Sequence, residues 1–425
     1  PNSTTTAAIP NRPLFARMQK SATIARTVAI LSSGLNMTAI GIDKIAFYTP
    51  AYYLALATLA ERDGIDPQKY HQGIGQDRFA VPSHDEDCVT LAANAAAGIL
   101  NAEDIAAIDS IFLATESGID QSKAAAVYVH ALLGLRPNCR AVELKQACYS
   151  ATAGLQMACA YVASHLERKV LLIASDIARY DMHGAAEATQ GSAAVAMLIS
   201  ANPRIAALEG PAGCYTQDVM DFWRPNHRNT PLVDGKLSTM IYMQAAEKAW
   251  QDYQAQGGVA FSDFAQYCYH LPFSKMGIKT HQRLCKSNNC AQDNSKIAAG
   301  MIYNREIGNS YTAALYLSLC SALDHRDDLS GELVGMLSYG SGCVAEYFAL
   351  RVQESYLSQR RKENHAALLV QRSALSLGEY EDFWKRQDYG SKENLVLAPQ
   401  SRGKFRLAVI EKDERRYQIN EAFKA

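Results

Sequence analysis

What most limits the fold of this chain is an alternation, run through twice, of short Val-, Ile- and Leu-rich segments with longer segments of helical character. From Met37 onward the apolar run Ala39 to Tyr48 is followed by a helical Tyr53 to Glu61 and a helical Cys88 to Leu100. Next come a run Ser110 to Thr115, a helical Lys123 to Leu133, a run Arg140 to Leu144 and a helical Tyr149 to Leu166. Two further runs, Lys169 to Ser175 and Ser192 to Ser200, close the series. Short apolar runs bounded by polar turns read as buried strands, and strands interleaved with helices call for a layered α/β body. A second series rhymes with the first: helical Ser238 to Gln254, Phe261 to Tyr267 and Ser310 to Leu323, then a buried strand Leu333 to Ser338 running into Gly340-Ser341-Gly342. A duplicated α/β fold is therefore expected, with one half over 37–205 and the other over 206–425. No long Pro- or Ser-rich linker parts the halves, so one interlocked body is expected, and the charged stretch after about residue 350 is expected to lie outside its core.

The 425 residues carry 42 Lys and Arg against 43 Asp and Glu, a net charge of −1. Such a balance supplies no field to gather polyanions, so nucleic acid is not an expected partner and phosphate recognition falls to a few local Lys or Arg. No apolar run reaches the roughly 18 residues that span a bilayer. The longest, Ala124 to Leu135, already holds the polar groups of Tyr128 and His130. A cytoplasmic protein with no membrane partner is expected. Ten cysteines in a chain of this length are too sparse for a disulfide scaffold and suit a reducing compartment. Cys285 and Cys290 make a C-x4-C pair with no second pair to complete a zinc site, so no metal is expected. Residues 1–36 hold Arg12, Arg17, Lys20 and Arg26 and no acid. That composition fits a transit peptide or a stretch lying ahead of a start at Met37, and either reading makes it a disordered or processed extension.

Three places bear residues suited to chemistry. In Val142-Glu143-Leu144-Lys145-Gln146-Ala147-Cys148-Tyr149-Ser150 a strand meets a helix rich in Ala, Gly and Ser. A cysteine at a helix start is favoured as thiolate by free amide N–H groups and the helix dipole, so Cys148 reads as a nucleophile with a lowered pKa, or else as one more small buried residue. In Ala114-Thr115-Glu116-Ser117 an acid ends an apolar strand, where α/β sheets present catalytic groups. Desolvated there, Glu116 would have a raised pKa and act as a general base; the alternative is a solvated loop charge. In Tyr269-His270-Leu271-Pro272-Phe273-Ser274-Lys275-Met276-Gly277-Ile278-Lys279, His270 is suited to polarising a carbonyl, and Lys275 and Lys279 share a helix face at i, i+4 that suits phosphates or plain solvent. Gly308-Asn309-Ser310-Tyr311-Thr312 and Ser338-Tyr339-Gly340-Ser341-Gly342 offer amide and hydroxyl groups beside glycines, which suits close approach to a small polar ligand.

Taken in order, A-T-E-S, E-x-K-x-A-C-Y, H-x-P-F-x-K-M-x-x-K, G-N-x-Y-T and S-Y-G-S-G resemble the hydroxymethylglutaryl-CoA (HMG-CoA) synthases. The match spans roughly Met37 to Leu350. It also takes in Ala174-Ser175-Asp176-Ile177-Ala178-Arg179-Tyr180, Ala188-Thr189-Gln190-Gly191, Asp221-Phe222-Trp223-Arg224-Pro225 and Asp234-Gly235-Lys236-Leu237-Ser238. The resemblance implies a thiolase-like αβαβα fold of two related halves and a homodimer. It implies condensation of acetyl-CoA with acetoacetyl-CoA in the mevalonate route to isoprenoids, with no metal or redox cofactor. By the same resemblance Cys148 takes the acetyl group, Glu116 removes a methyl proton, and His270 orients the acetoacetyl carbonyl. Asp66, Thr189, Ser238, Asn309 and Ser341 would contact acyl or pantetheine groups, Lys275 and Lys279 the CoA moiety, and Asp176 and Asp221 would be supporting acids. Ala188 departs from a frequent proline. The surroundings of Cys148 and Ser341 also resemble the polyketide β-branching synthases, whose acyl groups ride on acyl carrier protein; retention of both lysines favours free CoA.

Overall fold

In the sheet strands of this protein successive side chains face opposite sides, and apolar residues occupy both, so the sheet must be covered twice. The computed structural model describes residues 38–386 and 394–424, and the extension over 1–36 lies outside them. The strands are β1 (Ile40–Tyr48), β2 (Ile108–Ala114), β3 (Arg140–Leu144), β4 (Lys169–Ala178), β5 (Gly191–Ala201), β6 (Ala206–Thr216), β7 (Gln266–Tyr269), β8 (Leu333–Gly340) and β9 (Val344–Val352). They form a nine-stranded mixed sheet in the order β7-β8-β9-β6-β1-β5-β4-β2-β3. On β4, Val170, Leu172 and Ala174 join one buried cluster while Leu171 and Ile173 join another.

Those clusters define the layers. Helices α1 (Cys88–Ala97) and α2 (Ala125–Leu132) cover the outer side of the first half-sheet. Helices α3 (Ser150–Ser164) and α6 (Ala314–His325) lie between the half-sheets, packed on β4 and β5 and on β8 and β9. Helices α4 (Gly235–Ala255) and α5 (Ser274–Ser287) cover the outer side of the second. The result is the expected αβαβα layering. The halves are stitched at a narrow seam where β1 pairs β6 only through Gly41↔Ala207 and Ile42↔Ala206. Glycine is required there, because a Cβ on residue 41 would lie 2.2 Å from the Ala206 carbonyl oxygen. From Ala39 onward the chain is one compact unit.

Three expectations are corrected. Tyr53 to Glu61 begins as a strand, Tyr52–Ala55, before turning helical over Leu56–Asp63. Phe261 to Tyr267 is a single 3-10 turn, Phe261–Asp263, leading into β7. Finally, the region after residue 350 is not outside the core. Helix α7 (Leu377–Arg386) buries Tyr380 and Phe383 against Leu54, Phe79 and Val81. The hairpin β10 (Phe405–Glu411) and β11 (Glu414–Ile419) sends Phe405 into the cluster beneath α1 and pairs buried Arg406 with buried Asp85 (Nε to Oδ2 2.9 Å).

Candidate active site

The nucleophile candidate lies on the turn from β3 to α3. Ala147 takes a left-handed backbone conformation (φ 43°), and α3 proper begins at Ser150, so Cys148 stands ahead of the helix rather than on its first turn. The second half closes over this turn. A Cβ on Gly340 would lie 2.6 Å from the Gln146 carbonyl oxygen and 2.7 Å from the Tyr149 nitrogen, which explains the glycine where β8 ends. Gln146 Nε2 donates to the Ser341 carbonyl at 3.2 Å, and the amide of Ala151 donates to Thr312 Oγ1 at 2.9 Å. The stretches 338–342 and 308–312, separate in sequence from Cys148, are thus its structural neighbours.

Cys148 is buried, and its Sγ–H donates to Glu116 Oε1 at 3.3 Å. Glu116 stands just beyond the end of β2 and is half-buried. Desolvation first, and then the neighbouring Asp176 carboxylate, push its pKa up to about 8. The same desolvation, with Glu116 and Asp176 beside it, holds the Cys148 thiol well above its usual range. The expected lowering by a helix start is therefore corrected: burial penalises the thiolate, a Glu116 carboxyl oxygen lies 3.3 Å from the sulfur, and α3 begins only at Ser150. The thiol therefore keeps its proton and has a carboxyl oxygen within reach.

Asp176 organises this end of the site. Fully buried, it accepts from Thr115 Oγ1 (2.9 Å), the amides of Glu116 (2.9 Å) and Ser117 (3.0 Å), Ser117 Oγ (2.8 Å) and the amide of Thr312 (3.0 Å). Desolvation raises its pKa to about 6, against those donors. Arg224, a residue of the 221–225 motif with no role assigned from sequence, donates to the Glu116 carbonyl oxygen. An aromatic wall made by Tyr180, Phe222 and Tyr311, with edge-on contacts of 5.8 to 6.3 Å between ring centres, completes the nucleophile's surroundings. Sequence reading missed this wall, although all three of its members lie in quoted motifs.

His270, directly after β7, is buried, and its Nδ1 has no hydrogen-bond partner among the described residues. Desolvation pushes its pKa down to about 3, so the imidazole is neutral at working pH. Tyr242 links it to the nucleophile: its hydroxyl donates to the His270 carbonyl at 2.8 Å, and the Cys148 sulfur lies close enough to add to the rise in its pKa that burial causes. Asp221, also fully buried, accepts from Ser238 Oγ (3.0 Å), Tyr339 OH (2.8 Å) and the amide of Gly342 (2.9 Å), joining three of the motifs.

The remaining expected residues fall into two groups. Asn309 is buried, with its amide Nδ2 donating to Tyr180 OH at 3.4 Å, and half-buried Thr189 donates through Oγ1 to the Ala186 carbonyl at 2.7 Å. Asn309 thereby borders the aromatic wall. Lys275 and Lys279 are on the first turns of α5, half-buried and exposed respectively, and the Lys275 amide donates to Ile74 O at 2.9 Å. Asp66 is exposed, and its carboxylate accepts from the amide of Gln68 at 2.9 Å, a local turn contact rather than one with the cleft. Among the described residues no three His, Cys, Asp or Glu side chains gather into a set that would hold a metal.

A buried thiol paired with a carboxyl, at the join of two stacked α/β halves, defines a thiolase-like acyltransferase of the carbon–carbon condensing kind. The chain belongs to the hydroxymethylglutaryl-CoA synthase family: sequence profiles for the family's N-terminal part match residues 37–204, and those for its C-terminal part match 207–299 and 286–399. The hydroxymethylglutaryl-CoA synthase of Enterococcus faecalis is 46% identical over 346 residues, 80% of this chain and 90% of that protein. The polyketide biosynthesis 3-hydroxy-3-methylglutaryl-ACP synthase of Bacillus subtilis is 33% identical over 374 residues, 82% of this chain and 89% of that one. A crystal structure of an HMG-CoA synthase complexed with CoA superposes with a TM-score of 0.86 at 39% identity, covering 90% of this chain and all (100%) of that one.

Proposed function

We propose that the enzyme condenses acetyl-CoA with acetoacetyl-CoA and water, giving 3-hydroxy-3-methylglutaryl-CoA and CoA by way of an acetyl-Cys148 thioester, as a step toward isoprenoid precursors. The observation that carries this reading is the Cys148 thiol donating to a Glu116 carboxyl whose pKa is about 8. Attack of sulfur on the acetyl carbonyl passes the thiol proton to Glu116, and the departing CoA thiolate takes it up. Glu116, again a carboxylate, then removes a proton from the tethered methyl group; a base poised near neutrality suits a thioester-activated C–H. The carbon nucleophile adds to the ketone of acetoacetyl-CoA. Neutral His270 donates a hydrogen bond to the developing alkoxide, which Glu116 finally protonates. Water cleaves the thioester to Cys148 and leaves the one to CoA, restoring the thiol and releasing the product as a free carboxylate together with one proton. Asp176 and Asp221 act as positioning acids through the groups they bind.

Thr189, Ser238, Asn309 and Ser341 border the acyl and pantetheine path, and Lys275 and Lys279 hold CoA phosphates as point charges. No step calls for a metal or redox cofactor. A cytoplasmic homodimer fits this reading, and among the described residues no helix is long and apolar enough to cross a membrane. The second reading, an acyl carrier protein bringing the substrate, draws on the Bacillus relative; the two lysines weigh against it. Radiolabelled acetyl-CoA tests the first half-reaction: label retained on wild type and lost in Cys148→Ser supports it, and an unlabelled wild type sinks it. Condensation rates with acetoacetyl-CoA and with acetoacetyl-carrier protein decide the acceptor, and a carrier preference overturns the CoA assignment.

A further inference from the structure

Tyr180, one member of the wall around Cys148, is held from behind by a helix far along the chain. Its amide donates to Gln190 Oε1 at 3.0 Å, while Trp384 Nε1–H on α7 is shared between the Tyr180 carbonyl (3.1 Å) and the same Gln190 oxygen (3.2 Å). Gln190 Nε2 in turn donates to Tyr380 OH of α7 at 2.7 Å, and that hydroxyl donates to Glu187 Oε1 at 2.8 Å. Glu187 is buried and clamped by Arg62 through two bonds of 2.8 and 2.7 Å, with the His183 amide on its second oxygen at 2.6 Å. Arg179, the residue before Tyr180, stacks over the Trp384 ring at 4.0 Å. Among the described residues, the side chains bonded to the Tyr180 backbone on this side, Gln190 and Trp384, are thus tied to α7.

We infer that Trp384 and Tyr380 are positioning residues for the acyl pocket, setting through Gln190 how far the Tyr180 ring stands from Cys148 and thereby the size of acyl group the thiol accepts. The inference rests on the proposed acetylation of Cys148. Neither α7 residue touches the reacting atoms, and an aromatic wall with edge-on neighbours transmits a displacement of its backbone because it has no slack. Loosening it admits one more methylene. Trp384→Phe keeps the ring and removes the shared N–H, and Tyr380→Phe keeps the ring and removes the hydroxyl between Gln190 and Glu187.

The test is competitive acylation of Cys148 by radiolabelled acetyl-CoA and propionyl-CoA, read as the ratio of the two labels on the protein. The ratio is insensitive to the fraction of folded enzyme, so a change in fold stability alone leaves it where it was. Either variant is expected to raise the propionyl share on the order of fivefold, a part of the discrimination that one methylene supports. An unchanged ratio in both variants, with wild type labelled normally, overturns the inference and leaves the reaction assignment intact. Failure of wild type to take acetyl label overturns both. Should Trp384→Phe not fold, Tyr380→Phe carries the same test.

Discussion

Two groups of buried carboxylates on this molecule meet opposite fates. Asp85, behind α1, receives the Arg406 guanidinium together with Ser83 Oγ, Ser401 Oγ and the amides of Gln400 and Ser401. Its neighbour Asp87 accepts from Arg415 at 3.0 Å and Tyr417 at 2.7 Å while capping α1. Among the described residues the carboxyl oxygens of Glu116 and Asp176 accept hydrogen bonds from neutral donors, and the Arg224 guanidinium, whose charge works only as a minor lowering influence on Glu116, spends its hydrogen bond on the Glu116 backbone carbonyl. A buried carboxylate given a cation fastens two segments of chain; one denied a cation keeps its proton to higher pH and becomes a base. Asp85, Asp87 and Asp176 are buried and Glu116 is half-buried, and the placement of arginine distinguishes the two groups.

The sharpest way to break this comparison is at the sulfur. Cys148→Ser is expected to lower condensation on the order of 10⁴-fold or more, with no acetyl label, because a hydroxyl in the same setting is a poorer nucleophile. Thermal unfolding should hardly move, since serine can make the same bond to Glu116. Glu116→Gln is expected to reduce condensation on the order of 10²- to 10³-fold. A slow acetyl label on Cys148 should persist in that variant, separating loss of the methyl-proton base from loss of the nucleophile. If condensation survives in Glu116→Gln, the cation-free carboxyl is not the base. Arg406→Ala attacks the other group: leaving Asp85 without its cation should cost about 3 kcal/mol, seen as a lower denaturant midpoint. The labelling of whatever enzyme stays folded should match wild type. If Arg406→Ala instead altered the propionyl-to-acetyl ratio, the two groups would not be independent.

How much of this was legible in the sequence follows the distance between partners. β2 and the acid just beyond its end could be read because the apolar run and Glu116 are adjacent. Cys148 was legible as a nucleophile on a strand-to-helix turn. Its raised pKa was not, since Glu116 and Asp176 reach it from other strands. Phe261, Phe264 and Tyr267, spaced three apart, imitate a helix stripe. A 3-10 turn followed by a strand brings the same three rings into one aromatic cluster with Trp250 and Tyr347. Charge after residue 350 suggested solvent because the partners of Arg406 and Arg415 are the acids Asp85 and Asp87, on the far side of the chain. Local pattern reveals an element, whereas a buried ion pair can be recognised only once both ends are in place.

The smallest expected effect tests the comparison by its sign. An unfolded glutamate ionises near 4.5, and Glu116 in the folded chain near 8. Below both values the carboxyl is protonated in either state and contributes nothing. Between them the folded state binds the proton more tightly, so stability falls as pH rises through this window, and above about 8 the penalty is complete. Glu116→Gln cannot ionise and still accepts from the Cys148 thiol. Its melting temperature should therefore equal that of wild type near pH 4.5 and exceed it increasingly up to pH 8. The gain should level off there at about 1 kcal/mol, a value discounted for the partial exposure of Glu116. A variant that instead lost ground as pH rose would show that the Glu116 carboxylate is stabilised by its surroundings, and the distinction between the two groups would fall.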